Sequence, residues 1–303
     1  MDWKRGGYTL KIKEGYIDFK GHKTYYRTVG ECREGKKPLI LLHGGPGSTH
    51  NYFEVFDHMA EEDGRMLVMY DQIGCGLSYI EGHPEYFTEE VWLDELEVLR
   101  KELSLKEVHI LGQSWGGMMA LRYALDYNPE GVKSYILSST LPSAKLWEVE
   151  QYKRIDKMDK KYQDAIKHAI ETNDYTDPVY LEAVDIFMDM YCNPVITKDS
   201  PKCLTRPKKS GAEAYLLGWG PNEFTPVGTL SSFEVTERLG EIKTPCLITS
   251  GGNDLCSPAI AKTMLDGIEN SKWELFEHSH HMSFADEHDK YVDILTKWLN
   301  END

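Results

Sequence analysis

One serine of the chain lies in the pattern Gly-x-Ser-x-Gly, in which Ser114 stands between Gly112 and Gly116. Residues 107–110 before the pattern are typical of a short buried strand, and residues 118–125 after it are typical of a helix. A serine on the sharp turn from a strand into a helix presents its hydroxyl at the edge of a sheet, where the helix directs free N–H groups and the positive end of its dipole. The pattern therefore predicts a nucleophilic serine. A glycine-rich turn without chemistry is the alternative.

A serine hydroxyl is a weak nucleophile at neutral pH and needs a positioned base, which in a sheet of this kind comes last in the chain order Ser, Asp or Glu, His. Asp254 follows one predicted buried strand, and three histidines, His278, His280 and His281, follow the next. We predict that His281 is the base and Asp254 its partner, because His281 immediately precedes a Met-Ser-Phe segment that enters the last helix. His280 and His278 remain alternatives for the same role.

The three histidines also suggest a zinc site, which is the competing interpretation of this loop. No cysteine or carboxylate supports them at the spacing typical of zinc ligands. The six cysteines are scattered without a Cys-x-x-Cys pair, so we expect free thiols in a reducing cytosol. We therefore predict no metal and no cofactor.

A second glycine-rich run, His-Gly-Gly-Pro-Gly at residues 43–47, follows a continuous apolar stretch that predicts a buried strand. Such a loop can supply one backbone N–H, from Gly44 or Gly45, to a substrate carbonyl oxygen that becomes negatively charged. The residue after the nucleophile, Trp115, would supply the other. His43 is expected to support the loop rather than to titrate during catalysis.

Strands and helices alternate in both halves of the chain, which predicts an α/β fold with a mostly parallel sheet and helices on both faces. An antiparallel hairpin is predicted over residues 8–29. Between residues 141 and 228 the apolar strand patterns give way to charged helical stretches, predicted over residues 145–170 and 178–191. We therefore predict a core formed by residues 1–140 and 229–303, with a mainly helical cap, residues 141–228, inserted before the last strands. In parallel sheets the ligand site lies beyond the carboxyl ends of the strands, where these loops and the cap must converge.

The overall charge of −16 argues against nucleic acids and anionic membrane surfaces as partners. The first residues lack the apolar region of a signal peptide, and no apolar run approaches the roughly 18 residues of a membrane span. A cytoplasmic location is the prediction. The sequence gives no indication of the oligomeric state.

Four motifs together resemble the proline iminopeptidase (prolyl aminopeptidase) family of α/β-hydrolase serine peptidases. They are His-Gly-Gly-Pro-Gly at 43–47, Asp-Gln-Ile-Gly-Cys-Gly-Leu-Ser at 71–78, Gly-Gln-Ser-Trp-Gly-Gly at 112–117 and Gly-Pro-Asn-Glu-Phe at 220–224. The resemblance covers essentially the whole chain and is weakest in the first half of the cap. It implies an enzyme that removes an N-terminal residue, preferably proline, from short peptides or aminoacyl amides with a free N-terminus.

The resemblance also implies roles for residues of the cap. Glu223 matches an acid that holds the free amine of the substrate. Some relatives carry a second acid directly after the catalytic aspartate, but here Leu255 follows Asp254. Glu213 is our candidate for a second amine ligand.

Other functions remain open on the same fold, because fold and triad do not fix the substrate. An esterase, an amidase or an amino-acid ester hydrolase is the nearest alternative. Epoxide hydrolases and dehalogenases are disfavoured because they place aspartate where Ser114 stands. A binding module without activity would be expected to have lost a catalytic residue, and none is missing here.

Overall fold

An eight-stranded β-sheet forms the centre of the structure, a computed structural model that describes residues 10–303. The first two residues of the predicted hairpin therefore lie outside the described residues. The strand order in the sheet is β1-β2-β4-β3-β5-β6-β7-β8. The strands are β1 (Ile12–Phe19), β2 (His22–Val29), β3 (Leu39–Leu42), β4 (Leu67–Tyr70), β5 (Val108–Gln113), β6 (Val132–Ser138), β7 (Cys246–Gly251) and β8 (Ser271–Phe276).

Strands β1 and β2 form the predicted antiparallel hairpin, β2 pairs antiparallel with β4, and all other neighbouring strands are parallel. Leu42 aligns with Gly112, and Gln113 aligns with Ser138. The loops that follow β3, β5 and β6 consequently leave the sheet at the same edge. The predicted α/β fold with a mostly parallel sheet is confirmed.

Helices cover both faces of the sheet, as predicted. On one face Ile40 belongs to an apolar cluster with Leu96 and Met118, and on the other Leu41 belongs to a cluster with Leu295. All four residues of β3 are fully buried, which explains its uninterrupted apolar sequence. The helices are α1 (Met59–Glu62), α2 (Glu89–Glu102), α3 (Trp115–Arg122), α4 (Ala144–Ile155), α5 (Lys160–Thr172), α6 (Pro178–Tyr191), α7 (Lys202–Thr205), α8 (Ala212–Gly218), α9 (Pro258–Gly267), α10 (Ser283–Asp286) and α11 (His288–Glu301).

The chain between β6 and β7 consists of helices and loops, beginning with α4 and α5 in place of one predicted continuous helical stretch. Asp159 is the N-cap residue immediately before α5, so the charged sequence is divided at this point. Helix α6 has the predicted bounds. The division of the chain into core and cap stays a prediction. None of the helices in residues 10–303 combines the length and apolar character needed to cross a membrane.

A short segment of this insertion, residues 206–213, lies against the loops at the functional edge of the sheet; we call it the strap. Gly211 N–H donates to the Gly47 carbonyl at 2.7 Å, and Gly76 N–H donates to the Lys209 carbonyl at 2.7 Å. The insertion is therefore held by backbone hydrogen bonds onto two of the motif loops.

Candidate active site

Ser114 occupies the turn between β5 and α3 with φ 54° and ψ −121°. A positive φ is unfavourable for a residue with a side chain and is typical of positions where function requires it. A Cβ on Gly112 would overlap the carbonyl of Gly116, and one on Gly116 would overlap the carbonyl of Leu42. The two glycines thus allow the close approach of backbone that the turn needs. The Ser114 side chain remains partly accessible from the adjoining cavity.

Asp254 and His281 form a buried pair, in which His281 Nδ1 lies 2.6 Å from Asp254 Oδ1. The carboxylate also accepts hydrogen bonds from the Ser139 hydroxyl (2.5 Å), the Gly251 N–H (3.0 Å) and the Cys256 N–H (2.9 Å). These donors fix the carboxylate in the plane where it can hold a proton on Nδ1. His281 Nε2 is then left free to accept a proton, as the base of a catalytic triad requires.

The structure separates the three histidines of this loop. His280 lies beside Asp286, whose carboxylate accepts its N–H at 2.8 Å and stands 3.3 Å from its Nδ1. His278 is exposed, and its N–H donates to Glu287. Only His281 of the three both contacts Asp254 and lines the cavity that contains Ser114.

The two glycines proposed for the oxyanion hole differ in their hydrogen bonds. Gly44 N–H donates to the Tyr52 hydroxyl at 2.6 Å, and that hydroxyl donates to Gln113 Oε1 at 2.9 Å. Gly45 has φ 114°, and none of residues 10–303 accepts a hydrogen bond from its N–H. Trp115 is the first residue of α3, where an N–H has no partner within the helix. The free donors are therefore those of Gly45 and Trp115, and Gly44 is already engaged.

His43 connects the loops on either side of this site. Its Nε2 accepts the Gln72 N–H at 3.0 Å, and its Nδ1 donates to the Gly44 carbonyl at 2.9 Å. The Gln72 side chain in turn bonds the His43 carbonyl and the Trp115 indole. Burial lowers the pKa of His43 to about 4 despite the nearby Asp71 charge. His43 is therefore neutral and supports the loop.

The Asp71 loop is anchored by a second histidine, His50, which is 4% exposed. His50 Nδ1 donates to Asp71 Oδ1 at 2.7 Å, and its Nε2 lies 3.5 Å from Glu54 Oε1. Burial alone would lower the pKa of His50, but the hydrogen bonds and charges of Asp71 and Glu54 raise it to about 9. His50 is thus an imidazolium at neutral pH.

This anchor makes stability depend on pH. The pKa of His50 in the fold is above its unfolded value of roughly 6.5, so its contribution is complete below that pH and is lost as the pH rises through about 9. We expect the difference in free energy of unfolding between wild type and His50→Gln to shrink by on the order of 3 kcal/mol between pH 6 and pH 10. Urea unfolding of both proteins at the two pH values measures it. A difference that stays constant would show that His50 is not charged in the fold.

A cavity of about 820 Å³ is lined by Ser114, His281, Gly45 and Glu223. Glu213 is not among its lining residues, because its carboxylate accepts the Gly82 N–H at 2.9 Å outside the cavity. Glu213 and Tyr215 are two residues apart on α8, so their side chains point about 200° apart around the helix axis. Tyr215 is on the side of α8 that faces the cavity. The structure therefore does not place Glu213 where it could bind a substrate amine.

Glu223 is half-buried at the cavity wall and is held by aromatic residues. Its Oε1 accepts the Tyr215 hydroxyl at 2.8 Å, and its carbonyl accepts the indole N–H groups of Trp147 (2.7 Å) and Trp219 (3.4 Å). Burial raises the pKa of Glu223, while the Tyr215 hydrogen bond and the charge of His281 lower it. Among residues 10–303, Oε1 accepts a hydrogen bond and no donor lies within hydrogen-bond distance of Oε2.

Several residues that complete the site were not identified from the sequence: Ser139, Tyr52 and Arg154. Ser139 follows β6 at the functional edge, and the run Ser-Ser-Thr at 138–140 was a signal for it. Arg154 of α4 donates to the carbonyls of Asp254 and Leu255. No local pattern marks Tyr52 or Arg154, because their partners are distant in the chain.

The structure also bears on the metal and thiol predictions. The described His, Cys, Asp and Glu side chains of residues 10–303 form no group of three or more able to hold a metal ion. All six cysteines are free.

A mostly parallel sheet with a serine at the strand-to-helix turn, a His–Asp pair and a glycine-rich loop at one edge defines an α/β-hydrolase. Residues 37–179 match the family model for the alpha/beta hydrolase fold. The chain is 64% identical over 294 residues to a proline iminopeptidase of Clostridioides difficile, covering 97% of this chain and 100% of that protein. It is 57% identical to a proline iminopeptidase of Clostridium botulinum, with the same coverage.

A solved proline iminopeptidase from Mycobacterium smegmatis is similar in structure, with a TM-score of 0.83 and 26% identity. The match covers 96% of this chain and 98% of that one. The chain belongs to the proline iminopeptidase family.

Proposed function

We propose that this protein is a serine aminopeptidase that releases N-terminal proline from short peptides through an acyl-enzyme. The observation that carries the proposal is the carboxylate of Glu223 in the same cavity as Ser114. The family relationship supports it, and the relatives do not favour a simple esterase or amidase. We further propose a cytoplasmic location, which the six free thiols support.

In the proposed reaction, Ser114 Oγ attacks the carbonyl of the first residue while His281 takes its proton. Asp254 holds the imidazole in the required tautomer and stabilises the imidazolium. The N–H groups of Gly45 and Trp115 bind the oxygen as it becomes negatively charged. His281 then donates the proton to the departing amine, and a water molecule activated by His281 hydrolyses the acyl-enzyme.

Glu223 restricts this reaction to the N-terminal residue of the substrate. A free ammonium group can pair with the desolvated carboxylate, whereas a chain that continued past this point would place a neutral amide there and leave the charge uncompensated. Glu223 and the residues that hold it, Trp147, Tyr215 and Trp219, all come from the proposed cap, residues 141–228. The cap would therefore select the substrate, and the core would carry out the chemistry.

Glu223→Gln is expected to lower kcat/KM on a prolyl amide by about 10- to 200-fold, because a charge-assisted hydrogen bond to an ammonium is worth roughly 1.5–3 kcal/mol. An acyl ester without an amine should be affected much less, since the triad and the oxyanion donors are unchanged. Steady-state kinetics on the two substrates side by side measure the effect.

Glu213→Gln is the matched control, because this acid lies ten residues earlier in the same part of the chain, on α8, but outside the cavity. It should leave both rates close to wild type. Equal losses of activity on the prolyl amide and the ester in the Glu223 variant would mean that Glu223 supports the fold and that the amine is bound elsewhere.

A further inference from the structure

Two basic side chains of the strap, Arg206 and Lys208, line the active-site cavity and have no role in the proposed reaction. Arg206 is already paired, because its guanidinium bonds both carboxylate oxygens of Glu54, one of them at 2.9 Å. Lys208 differs from it. Within residues 10–303, no carboxylate oxygen lies within 4.0 Å of Lys208 Nζ. The cavity thus contains one cation without a carboxylate partner in the described part of the chain.

The ammonium of Lys208 lies beside the glycine-rich loop at residues 43–48, which we call the oxyanion loop. Its Nζ donates to the Ser48 hydroxyl at 3.0 Å and lies 5.5 Å from the centre of the Tyr52 ring. Ser48 N–H donates to the Gly44 carbonyl at 3.3 Å, and Gly44 packs against Ser114. Since an ammonium has three donors, Lys208 retains unused donors at this place.

The surroundings of Lys208 leave its charge poorly compensated. Desolvation lowers the pKa of Lys208, and the charge of Asp71, which opposes this effect, is already bonded to His50. An anion that entered the cavity would therefore meet an exposed ammonium that has free donors and no carboxylate partner among residues 10–303. Glu223 lines the same cavity, so one cavity contains a carboxylate and an ammonium that could contact different parts of one ligand.

A dipeptide carries both charges, one at each end, and Glu223, Ser114 and Lys208 line one cavity. In a dipeptide with its amine at Glu223 and its carbonyl at Ser114, three covalent bonds separate the scissile carbonyl carbon from the carboxylate carbon. Those bonds span less than about 4 Å. We propose that Lys208 binds the α-carboxylate of the residue after the scissile bond, so that dipeptides beginning with proline are the preferred substrates. This inference rests on the proposed function.

The test compares two substrates, Pro-Ala with a free C-terminal carboxylate and Pro-Ala with a C-terminal amide. They differ only in the C-terminal group, whose negative charge Lys208 would bind. The quantity measured is the ratio of kcat/KM for the acid to kcat/KM for the amide. In the wild type we expect the acid to be favoured, and we expect Lys208→Met to lower the ratio by about 5- to 20-fold, between the effects of exposed ion pairs and charge-assisted hydrogen bonds. Lys208→Arg should retain most of the preference.

Lys209→Met is the matched control, because Lys209 is the next residue of the strap but stacks 3.4 Å from the centre of the Tyr79 ring and does not line the cavity. It should leave the ratio unchanged. The wild-type preference should also weaken as salt is added, since salt screens a partly exposed pair.

Each contrary result has a distinct meaning. A wild type without preference for the acid, or a Lys208→Met variant with the wild-type ratio, would overturn the proposed carboxylate site. Proline release from both peptides in the same experiment would still support the proposed function. An equal fall of kcat/KM on both peptides in the Lys208→Met variant would show that Lys208 only holds Ser48 and the oxyanion loop in place. That result would also overturn the proposal. No proline release from either peptide by the wild type would overturn the proposed function itself.

Discussion

Replacing Ser114 with alanine is expected to lower kcat/KM on a prolyl amide by at least about 10⁴-fold, because no other group can form the acyl-enzyme. The fold should survive, since the Ser114 side chain makes no capping hydrogen bond to α3. Alanine must adopt the same positive φ as serine, so the backbone strain is unchanged. Rates measured together with the thermal melting curve separate loss of chemistry from loss of structure.

An active-serine phosphonate provides the control for this prediction. It should label the wild type at Ser114, as located by mass spectrometry of the digested protein, and it should not label the alanine variant. Labelling at another serine, or near-normal turnover by the variant, would refute the assignment of the nucleophile.

His281→Ala is expected to cost a similar factor, about 10⁴-fold or more, because without the base the serine hydroxyl keeps its proton. His280→Ala should cost far less, since the His280 ring lies beside Asp286 and not in the cavity. The same prolyl amide assay applied to both variants measures the difference between two neighbouring residues of one loop.

The comparison of these two variants tests which histidine of the loop is the base. An inactive His280→Ala protein with an active His281→Ala protein would mean that the base had been assigned one residue too late. Wild-type activity that is lost on chelation and restored by zinc would instead support the metal interpretation.

The turn around Ser114 was predictable from the sequence because its requirements are local. Two glycines, an apolar strand before them and a helix after them are enough to define the geometry, and the structure has all three. The parallel sheet was predictable for the same reason, since strands buried on both faces read as continuous apolar runs. The family resemblance added Glu223, which no local rule distinguishes from other acids.

Choices that turned on one or two residues could not be made from the sequence. The sequence alone does not show whether Gly44 or Gly45 has a free N–H. The structure distinguishes them, because the Tyr52 hydroxyl accepts the Gly44 N–H. Glu213 was a reasonable candidate by position but lies on the side of its helix that faces Gly82. Ser139 reaches Asp254 across 115 residues of chain. Such contacts are set by the packing of distant elements, which periodicity does not encode.

The Arg154 contact couples two parts of the chain that are distant in sequence. Its guanidinium comes from α4 but donates to the carbonyls of Asp254 and Leu255, in the loop that follows β7 and carries the proposed catalytic acid. The segment between β6 and β7 is therefore mechanically coupled to this loop. Replacing α4 with a different helix would remove these two hydrogen bonds from the loop that carries Asp254, so that a change made in this segment would also act on the position of the proposed catalytic acid.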